Sequence, residues 1–438
     1  MFTLIIALLT CTILIIFILK KPTFTIRGIT INTYWIIALI GALVMIIARC
    51  ISLNDLWNIL SSNSAINPLK IVVLLMSIAV LSITLDELGF FNYIACKIVR
   101  IVKHSQYKLF FALFAIVAIL TIFTSNDIVI LTFTLFICYF AKKTKINPLP
   151  YLIMEFVVAN TFSMIFIIGN PTNIYLASAF NIDFISYFKV MWLPTILAGS
   201  VSATTLTLLF RKDLNQPFNE TTTLDAKIKS VPLLVISLIF LFGTTIMLAI
   251  SSYVHIEMWL IALVAAASLL IIILVYSLYK HSSEYLAYII KHVPWSLSVF
   301  VISMFVIVLA LNEAGIFTNI TIFFNSIING NNYRAIWVYG ISSAITDNII
   351  NNIPMSLAYS NIITGLTPEI RLAGIYATII GSNIGAFLTP IGALAGIMWL
   401  NILKHQNIKF TFLDFVKYGI ILTTIILIAA LIGLCIIL

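Results

Sequence analysis

The sequence predicts an all-α polytopic membrane protein, an inverted repeat with five spans plus one re-entrant hairpin in each half and broken helices at the bilayer midplane. The first observation is composition: 62% of the 438 residues are hydrophobic and 9% are charged, against about 45–50% and about 25% in soluble domains. The second is that the apolar runs have the length of membrane-spanning helices, about 20 residues. The third is a set of polar breaks inside these runs. A soluble enzyme and a disordered chain are both excluded.

Hydropathy places ten membrane crossings along the chain. They are expected near 2–19, 34–52, 69–85, 149–180, 188–210, 231–250, 257–279, 293–311, 371–402 and 413–437. Two further apolar stretches, 109–141 and 335–365, are interrupted by polar residues. Each is too long for one span and too short for two spans with a loop. Each is therefore predicted to be a re-entrant hairpin of two half-length helices, with tips at Ser125-Asn126-Asp127 and Asn351-Asn352.

The basic residues support both hairpins, because cytoplasmic loops of membrane proteins carry an excess of Lys and Arg. If each hairpin enters and leaves on one side and both termini lie outside, only five of the 24 basic residues fall on the outer face. These five are Arg49, Lys70, Lys189, Arg334 and Arg371. The net charge of +9 thus reports orientation in the cytoplasmic membrane, and nucleic acid is not an expected partner. The five cysteines are scattered singly, so neither a metal site nor a cofactor is expected.

Two sequence matches indicate an internal repeat. Residues 85–91 read LDELGFF and residues 311–317 read LNEAGIF, an offset of 226, and Asn126 precedes Asn351 by 225. Because each half has an odd number of crossings, the second copy must enter the membrane upside down, which is the plan of secondary transporters. The first repeat is expected over 1–212 and the second over 231–438, joined by a cytoplasmic linker over 213–230.

Four helix breaks in the predicted membrane region indicate one binding site, since open backbone groups are tolerated there only beside protein or a water-lined cavity. Their hydroxyl and amide groups suit a small polar substrate, although a lone Asn often only joins neighbouring helices. The predicted binding residues are Ser125, Asn126, Asp127, Asn160, Thr161, Asn170, Thr172, Asn173, Asn351, Asn352, Ser382, Asn383 and Thr389. A carboxylate is costly in lipid, so one that is buried there is a candidate for function. Asp127 is the preferred coupling acid because it is the one that lies on a hairpin tip. Glu155 and Asp347 are further candidates for coupling, with a structural role as the alternative.

These motifs resemble those of the arsenite/antimonite efflux permeases, the ArsB family of an ion transporter superfamily that also holds NhaD-type sodium/proton antiporters and citrate and dicarboxylate carriers. The resemblance covers nearly the whole chain and is most specific at 380–394, which contains TPIG at 389–392. It implies a transporter rather than an enzyme, exporting arsenite or antimonite by alternating access and driven by protons. A soluble ATPase subunit and a second copy of the chain are the candidate protein partners.

Departures from the family pattern leave a second hypothesis open. Asn160 and Asn383 stand where the arsenite permeases usually carry Asp, and 169–173 reads GNPTN rather than Ser-Asn-Leu-Val-Asn. Either proton coupling depends on Asp127 with another buried acid, or the substrate has changed. The alternative function is a sodium-coupled carboxylate carrier or a sodium/proton antiporter of the same fold. A non-transporting scaffold is disfavoured, because it has no need of costly buried carboxylates.

Overall fold

The computed structural model describes residues 2–21, 23–26, 29–62, 67–101, 105–216, 227–251, 253–281 and 283–438. Within these ranges the chain is helical apart from its loops and one antiparallel hairpin, β1 (Thr23–Ile26) and β2 (Ile29–Asn32). The helices of the first half are α1 (Phe2–Lys20), α2 (Tyr34–Ile47), α3 (Leu53–Ser61), α4 (Pro68–Glu87), α5 (Phe90–Ile101), α6 (Gln106–Phe123), α7 (Asn126–Thr144), α8 (Leu149–Phe162), a 3₁₀ turn (Ile167–Gly169), α9 (Pro171–Ala179), α10 (Phe184–Leu209) and α11 (Arg211–Leu214). Those of the second half are α12 (Val231–Ala249), α13 (Met258–Tyr279), α14 (Glu284–His292), α15 (Trp295–Glu313), α16 (Ile316–Ile328), α17 (Asn332–Ile350), α18 (Asn352–Thr364), α19 (Pro368–Gly385), α20 (Leu394–His405) and α21 (Phe412–Ile437).

Seven helical segments of the described chain are long and apolar enough to cross a membrane. They are Pro68–Glu87, Gln106–Phe123, Phe184–Leu209, Val231–Ala249, Met258–Tyr279, Glu284–Glu313 and Phe412–Ile437. Shorter apolar helices occupy Phe2–Ile18, Tyr34–Ile47, Leu149–Phe162 and Ile316–Ile328. Apolar side chains such as Leu208 and Ile239 are exposed on the outside of the bundle, where lipid rather than water suits them. The predicted all-α membrane class is confirmed.

Local capping groups decide where several of these helices begin. Asn67 Oδ1 accepts a hydrogen bond from the Leu69 backbone N–H at 2.8 Å at the start of α4. Asp183 Oδ1 accepts from the N–H groups of Ile185 and Ser186 at the start of α10, at 3.0 and 2.9 Å. Partial burial raises the pKa of the Asp183 carboxyl, but the hydrogen bonds from Ser186 and Ile185 outweigh it, and the pKa lies below its ordinary value. Such caps satisfy backbone donors that the helix leaves open.

The helices of the two halves follow one another in the same order. The helices α1–α10 correspond in order to the helices α12–α21. In both series a short helix is third, a pair of helices stands sixth and seventh, and an interruption follows the eighth. The short helices α3 and α14 both have 9 residues, and the last helices, α10 and α21, both have 26. Gly89 and Gly315 separate corresponding helices with φ of +80° and +72°, a backbone conformation that glycine adopts without strain.

Corresponding helices of the two halves also make corresponding contacts with the opposite half. Helix α2 packs on α15, and its counterpart α13 packs on α4. Helix α7 packs on α20 and α18 on α9, while α10 packs directly on α21. Reciprocal contacts of this kind are what a two-fold relation between the halves produces.

The ends of the α6–α7 pair lie on one face of the molecule. At the start of α6, Gln106 Nε2 donates to the Gln216 carbonyl oxygen at 2.8 Å, and after α7, Asn147 Nδ2 donates to Asp213 Oδ1 at 2.8 Å. Both partners belong to the predicted linker, of which residues 217–226 lie outside the described ranges. The contacts fit a chain that enters and returns on the same side.

The arms of both predicted hairpins differ in length from the half-length helices expected. Helices α6 and α7 have 18 and 19 residues, or about 27–29 Å each at the α-helical rise, and together they run over 106–144 rather than 109–141. In the second hairpin α17 has 19 residues and α18 has 13. Caps extend the first pair: Ser105 Oγ accepts from the Lys108 backbone at 3.4 Å, and Lys145 ends α7 with φ of 57°. Helix ends are set by such caps rather than by the limits of the apolar run.

Candidate functional site

Four helix breaks are present near the predicted places, but the expectation that Asn160, Thr161, Ser382 and Asn383 interrupt their helices is wrong, because these residues lie in the last turns of α8 and α19. Helix α6 ends at Phe123 and α7 begins at Asn126. Helices α17 and α18 meet at Asn351, and two longer interruptions separate α8 from α9 and α19 from α20. Side chains at these four breaks form two groups of hydrogen bonds, which we call the first and second amide networks.

The first amide network joins the α8–α9 interruption to α19. Asn383 Oδ1 accepts hydrogen bonds from Ser163 Oγ and from Asn170 Nδ2, both at 2.9 Å. Asn383 Nδ2 donates to Asn173 Oδ1 at 2.8 Å. Asn170 Oδ1 in turn accepts from the N–H and the hydroxyl of Thr172, both at 3.1 Å. All five side chains are buried, so the bonds connect the two halves across the interior.

The first hairpin tip is attached to this network through one bond. Asn126 Nδ2 donates to Asn160 Oδ1 at 3.0 Å, and Asn160 Nδ2 donates to the Phe156 carbonyl one turn back in α8 at 2.8 Å. Asn160 therefore uses both ends of its amide within the protein. In this conformation it holds the tip against α8.

The second amide network joins the second hairpin tip to the α19–α20 interruption. Asn348 Oδ1 accepts from the N–H and the hydroxyl of Thr389, at 2.8 and 2.7 Å. Asn348 Nδ2 donates to the carbonyl oxygens of Ala344 and Gly385, both at 2.8 Å. The Asn352 backbone N–H donates to the Gly392 carbonyl oxygen at 3.1 Å. Unlike the first network, this one depends mainly on backbone acceptors.

Asn351 has a strained backbone at the tip of the second hairpin. Its φ of 73° and ψ of 156° fall in a region used almost only by glycine, at a cost of about 1–3 kcal/mol. The Asn351 side chain donates to the Ile391 carbonyl oxygen at 2.9 Å, which fixes the tip against the neighbouring interruption. Strain of this kind is found where a segment has to change conformation.

Several buried polar atoms near the breaks have no hydrogen-bond partner in the described structure. They are Asn126 Oδ1, Thr161 Oγ1, Asn351 Oδ1, Ser382 Oγ and both carboxyl oxygens of Asp347. A buried polar atom without a partner is costly, and a native structure usually keeps such atoms for a purpose. Asn126 and Asn351 thus each combine a hydrogen-bonded amide nitrogen with an unpaired amide oxygen.

The two further candidate acids differ in their surroundings. Glu155 is fully buried in α8, with its carboxyl oxygens 3.1 and 3.2 Å from Thr134 Oγ1 of α7. Asp347 is fully buried in α17, with neither oxygen paired within the described ranges. The Glu155 contact joins two helices and supports a structural role. Asp347 has the surroundings of a carboxyl that either carries a proton or pairs with a cation.

Asp127 faces a cavity of about 850 Å³. It lies in the first turn of α7, where the helix N-terminus favours a negative charge. Ser125 lines the same cavity, as do Pro171 of the first interruption and Leu394 at the start of α20. Asp127 lines this cavity, and within the described residues its carboxyl accepts no hydrogen bond.

The charges of this cavity are separated along its length. Of its described basic residues, Lys229 contacts Glu87, Lys227 lies beside Gly89, and His292 stacks on Tyr288. Lys229 Nζ lies 2.5 Å from Glu87 Oε1, and the Lys229 backbone N–H donates to the Leu88 carbonyl oxygen at 3.1 Å. The end of the cavity near Asp127 consequently has a carboxyl but no described fixed cation.

A second, smaller cavity of about 280 Å³ lies further along α4. It is lined by Lys70 and Leu74 of α4, whereas the next residue, Leu75, lines the larger cavity. Lys70 Nζ lies 2.6 Å from Glu257 Oε2, and Trp259 Nε1 donates to the same oxygen at 2.8 Å. The two cavities therefore meet α4 at consecutive residues, Leu74 and Leu75.

Three functional features were missed at the sequence level. Asn348 is central to the second network, although it was not among the predicted binding residues. Ser163 connects the two halves, and Asp86 contacts Tyr288 across 202 positions of sequence. Clustering of polar residues at the breaks signals the first two, whereas nothing in the local sequence signals the third.

Broken helices joined by buried polar side chains, with the first hairpin tip at a cavity inside a bundle of apolar helices, are typical of a polytopic membrane transporter. Residues 4–377 match the family model described as citrate transporter, CitMHS, and the chain belongs to this family. Arsenical pump membrane proteins are similar over most of its length. The protein from Escherichia coli is 26% identical over 400 residues, covering 88% of this chain and 89% of that one. The protein from Yersinia enterocolitica is 26% identical over 411 residues, with 91% of each chain covered.

A solved structure supports the fold independently. The YdaH transporter of Alcanivorax borkumensis superposes with a TM-score of 0.57 at 12% identity, covering 99% of this chain and 97% of that chain. At this identity the likeness concerns the fold alone. The chain is thus a membrane transporter, as predicted, and its relatives are transporters rather than enzymes.

Proposed function

We propose that this protein exports arsenite and antimonite across the cytoplasmic membrane in exchange for protons. The observation that carries the proposal is a cavity lined by Asp127 and Ser125 of the first hairpin tip, with no described Lys or Arg at that tip. Trivalent arsenic at neutral pH is largely an uncharged trihydroxide. Hydroxyl, amide and carboxyl groups can exchange hydrogen bonds with such a solute. The named relatives, arsenical pump membrane proteins, agree with this substrate.

Proton coupling is assigned to the carboxyls with unused oxygens. Asp127 is open to the cavity, and Asp347 is enclosed without a partner in the described structure. A carboxyl that is enclosed in one conformation and open in another binds a proton in the first and releases it in the second, because burial disfavours the charged form. The alternation of access would in this way be linked to proton movement.

Alternating access is supported by the two cavities along α4. The larger one reaches the linker residues Lys227 and Lys229, which the charge distribution places in the cytoplasm. The smaller one contains Lys70, which the same distribution places outside. We therefore infer an inward-facing conformation, in which α4 separates the substrate cavity from the outer one between Leu74 and Leu75.

The inverted repeat, the two re-entrant hairpins and the outside position of both termini belong to the same proposal. The matching element order, the reciprocal helix contacts and the shared face of the α6–α7 ends support them. The soluble ATPase subunit and the second copy of the chain remain predictions.

The alternative is sodium-coupled transport of a carboxylate, which the family description favours. A multivalent carboxylate usually needs Arg or Lys groups at its binding site. Of the two lysines that line the described cavity, Lys229 is paired with Glu87 and Lys227 lies beside Gly89 at the same end, whereas the breaks carry amides. The neutral substrate is therefore the better fit.

Arsenite accumulation distinguishes the two functions. Cells that lack their own arsenite exporter are made to express the protein, and intracellular arsenic is measured at graded external arsenite. We expect less arsenic than in cells with empty vector, and the difference should disappear with a protonophore. Equal accumulation refutes arsenite export, and citrate uptake that follows sodium supports the alternative.

Asp127→Asn tests the assigned coupling acid. The amide preserves shape while it removes the titratable group, so we expect loss of arsenite export at normal protein abundance. Asp55→Asn is the matched control, because Asp55 is an exposed acid in the first turn of α3. Export that survives Asp127→Asn would exclude this residue as the coupling acid.

A further inference from the structure

A second carboxyl, that of Asp86, lines the large cavity at some distance from the breaks. Asp86 Oδ1 accepts a hydrogen bond from Thr132 Oγ1 of α7 at 2.9 Å. Asp86 Oδ2 accepts from the Tyr288 hydroxyl of α14 at 3.2 Å. All three residues line the cavity and come from different helices, one of them in the second half. The carboxyl is thus held in one orientation while it stays open to the cavity.

Asp86 lies between Asp127 and the linker end of the cavity. Thr132, its partner on α7, comes five residues after Asp127, which corresponds to a rise of about 7.5 Å. On the other side, the neighbouring residue Glu87 contacts Lys229, whose side chain is 53% exposed. A proton moving from Asp127 to the solvent at the linker passes Asp86.

The charged and titratable groups near Asp86 leave it as the unpaired acid of this end. Glu87 of α4 is neutralised by Lys229 of the linker. The His292 ring of α14 stacks on the Tyr288 ring, with centroids 3.8 Å apart. The charged and titratable residues that line the cavity are Tyr34, Asp86, Glu87, Cys96, Asp127, Tyr139, Lys227, Lys229, Tyr288 and His292. Within the described chain Asp86 has hydroxyl donors but no salt bridge.

We propose that Asp86 is a proton-transfer residue between Asp127 and the cytoplasm. The O–H bond of the Asp127 carboxylic acid breaks, water in the cavity carries the proton, and a new O–H bond forms on the Asp86 carboxylate. Asp86 then releases the proton to cytoplasmic water, and Asp127 is left as a carboxylate ready for the next cycle. This inference rests on the proposed proton-coupled export and adds the route by which the proton leaves.

The test separates proton movement from substrate movement in proteoliposomes of the full chain. Arsenite counterflow exchanges substrate for substrate and needs no net proton transfer, whereas transport driven by a pH gradient does. Asp86→Asn keeps the shape of the side chain and can still bond Thr132 and Tyr288. We expect driven transport to fall about tenfold or more, the order that a positioned proton-transfer group contributes, while counterflow stays at the wild-type rate.

Tyr288→Phe is the second variant, which keeps the carboxyl but removes one donor from it. A carboxylate that loses a hydrogen bond is less stable relative to its protonated form. The pH dependence of driven transport should therefore move to higher pH. A purely structural contact would leave the shape and position of that profile unchanged. Asp55→Asn is the matched control, because Asp55 is an exposed acid in the first turn of α3 and does not line the cavity.

The outcomes distinguish this inference from the function on which it rests. If wild-type protein shows no arsenite counterflow, both the proposed export function and the role of Asp86 are refuted. The role of Asp86 alone is refuted if wild-type protein is active, driven transport is unchanged in Asp86→Asn, and the pH profile is unchanged in Tyr288→Phe. Equal loss of counterflow and driven transport in folded Asp86→Asn also overturns it, because the residue then binds substrate. If Asp86→Asn does not fold, the pH profile of Tyr288→Phe decides.

Discussion

Replacing Asn383 with alanine tests whether the first amide network holds the two halves together. The Asn383 side chain accepts bonds from Ser163 and Asn170 at 2.9 Å and donates one to Asn173 at 2.8 Å. Alanine removes all three bonds between the halves at a position with no solvent exposure. Ser163 keeps an acceptor, the Asn160 carbonyl oxygen at 2.8 Å, whereas the other two partners lose a bond in a closed site.

The expected cost follows from these three bonds. A side-chain hydrogen bond between membrane helices contributes roughly 0.6 kcal/mol on average, so the three together contribute about 2 kcal/mol. A buried polar group that is left unpaired adds about 1–3 kcal/mol in soluble proteins. We expect Asn383→Ala to lower the free energy of unfolding by about 3–5 kcal/mol.

Asn361→Ala is the matched control for this measurement. Its amide donates to the Leu357 carbonyl oxygen within α18 at 2.9 Å, so the change should cost less than about 1 kcal/mol. Both variants are unfolded in mixed detergent micelles by titration with sodium dodecyl sulfate and followed by circular dichroism. If the two free energies agree within about 0.5 kcal/mol, the usual limit for independent effects, the network does not stabilise the contact between the halves.

Three further predictions concern other parts of the molecule. A methyl group at Gly381 would lie 2.0 Å from the nearest atom of α17, whereas one at Gly243 would have no atom within 4 Å. Gly381→Ala should therefore lower the yield of folded protein, and Gly243→Ala should not. The Lys70 ammonium group holds the pKa of the Glu257 carboxyl below its ordinary value. The ion pair is therefore intact above about pH 4.3 and is lost as the pH falls through the lowered pKa. Glu257→Gln should therefore lose less thermal stability than wild type between about pH 5 and pH 3. Leu74 and Met76 line different cavities. In a background without native cysteines, an impermeant maleimide should therefore label Leu74→Cys from outside and Met76→Cys only from the cytoplasmic face. Labelling of both from one face would exclude the inward-facing assignment.

The positions of the helix breaks could be predicted from the sequence because polar residues interrupt otherwise apolar runs. Asn126 and Asn351 lie at the breaks between paired helices, as expected. The short amphipathic helices α3, α5, α14 and α16 were not predicted, since averaging hydropathy over about 19 residues conceals them. The lengths of the paired helices also escaped prediction, because capping groups rather than hydropathy set their ends.

The partners of the site residues could not be predicted. Asn160 and Asn383 both appeared as binding residues, yet the structure engages both of their amides with protein groups. Sequence shows that an amide is present, whereas its partner depends on packing between residues as much as 220 positions apart. For the same reason the bond between Asp86 and Tyr288 had no local signal.

The division between paired and unpaired polar atoms indicates which elements move during transport. The α8–α9 interruption and α19 are joined by the bonds of Asn383, whose amide makes only protein contacts. At the hairpin tips, Asn126 and Asn351 each retain an unpaired oxygen, and Asn351 is strained as well. Unpaired atoms and a strained backbone gain the most from a change of partners. We therefore expect the Asn383 bonds between the α8–α9 interruption and α19 to persist during transport, and the two tips to change their hydrogen-bond partners.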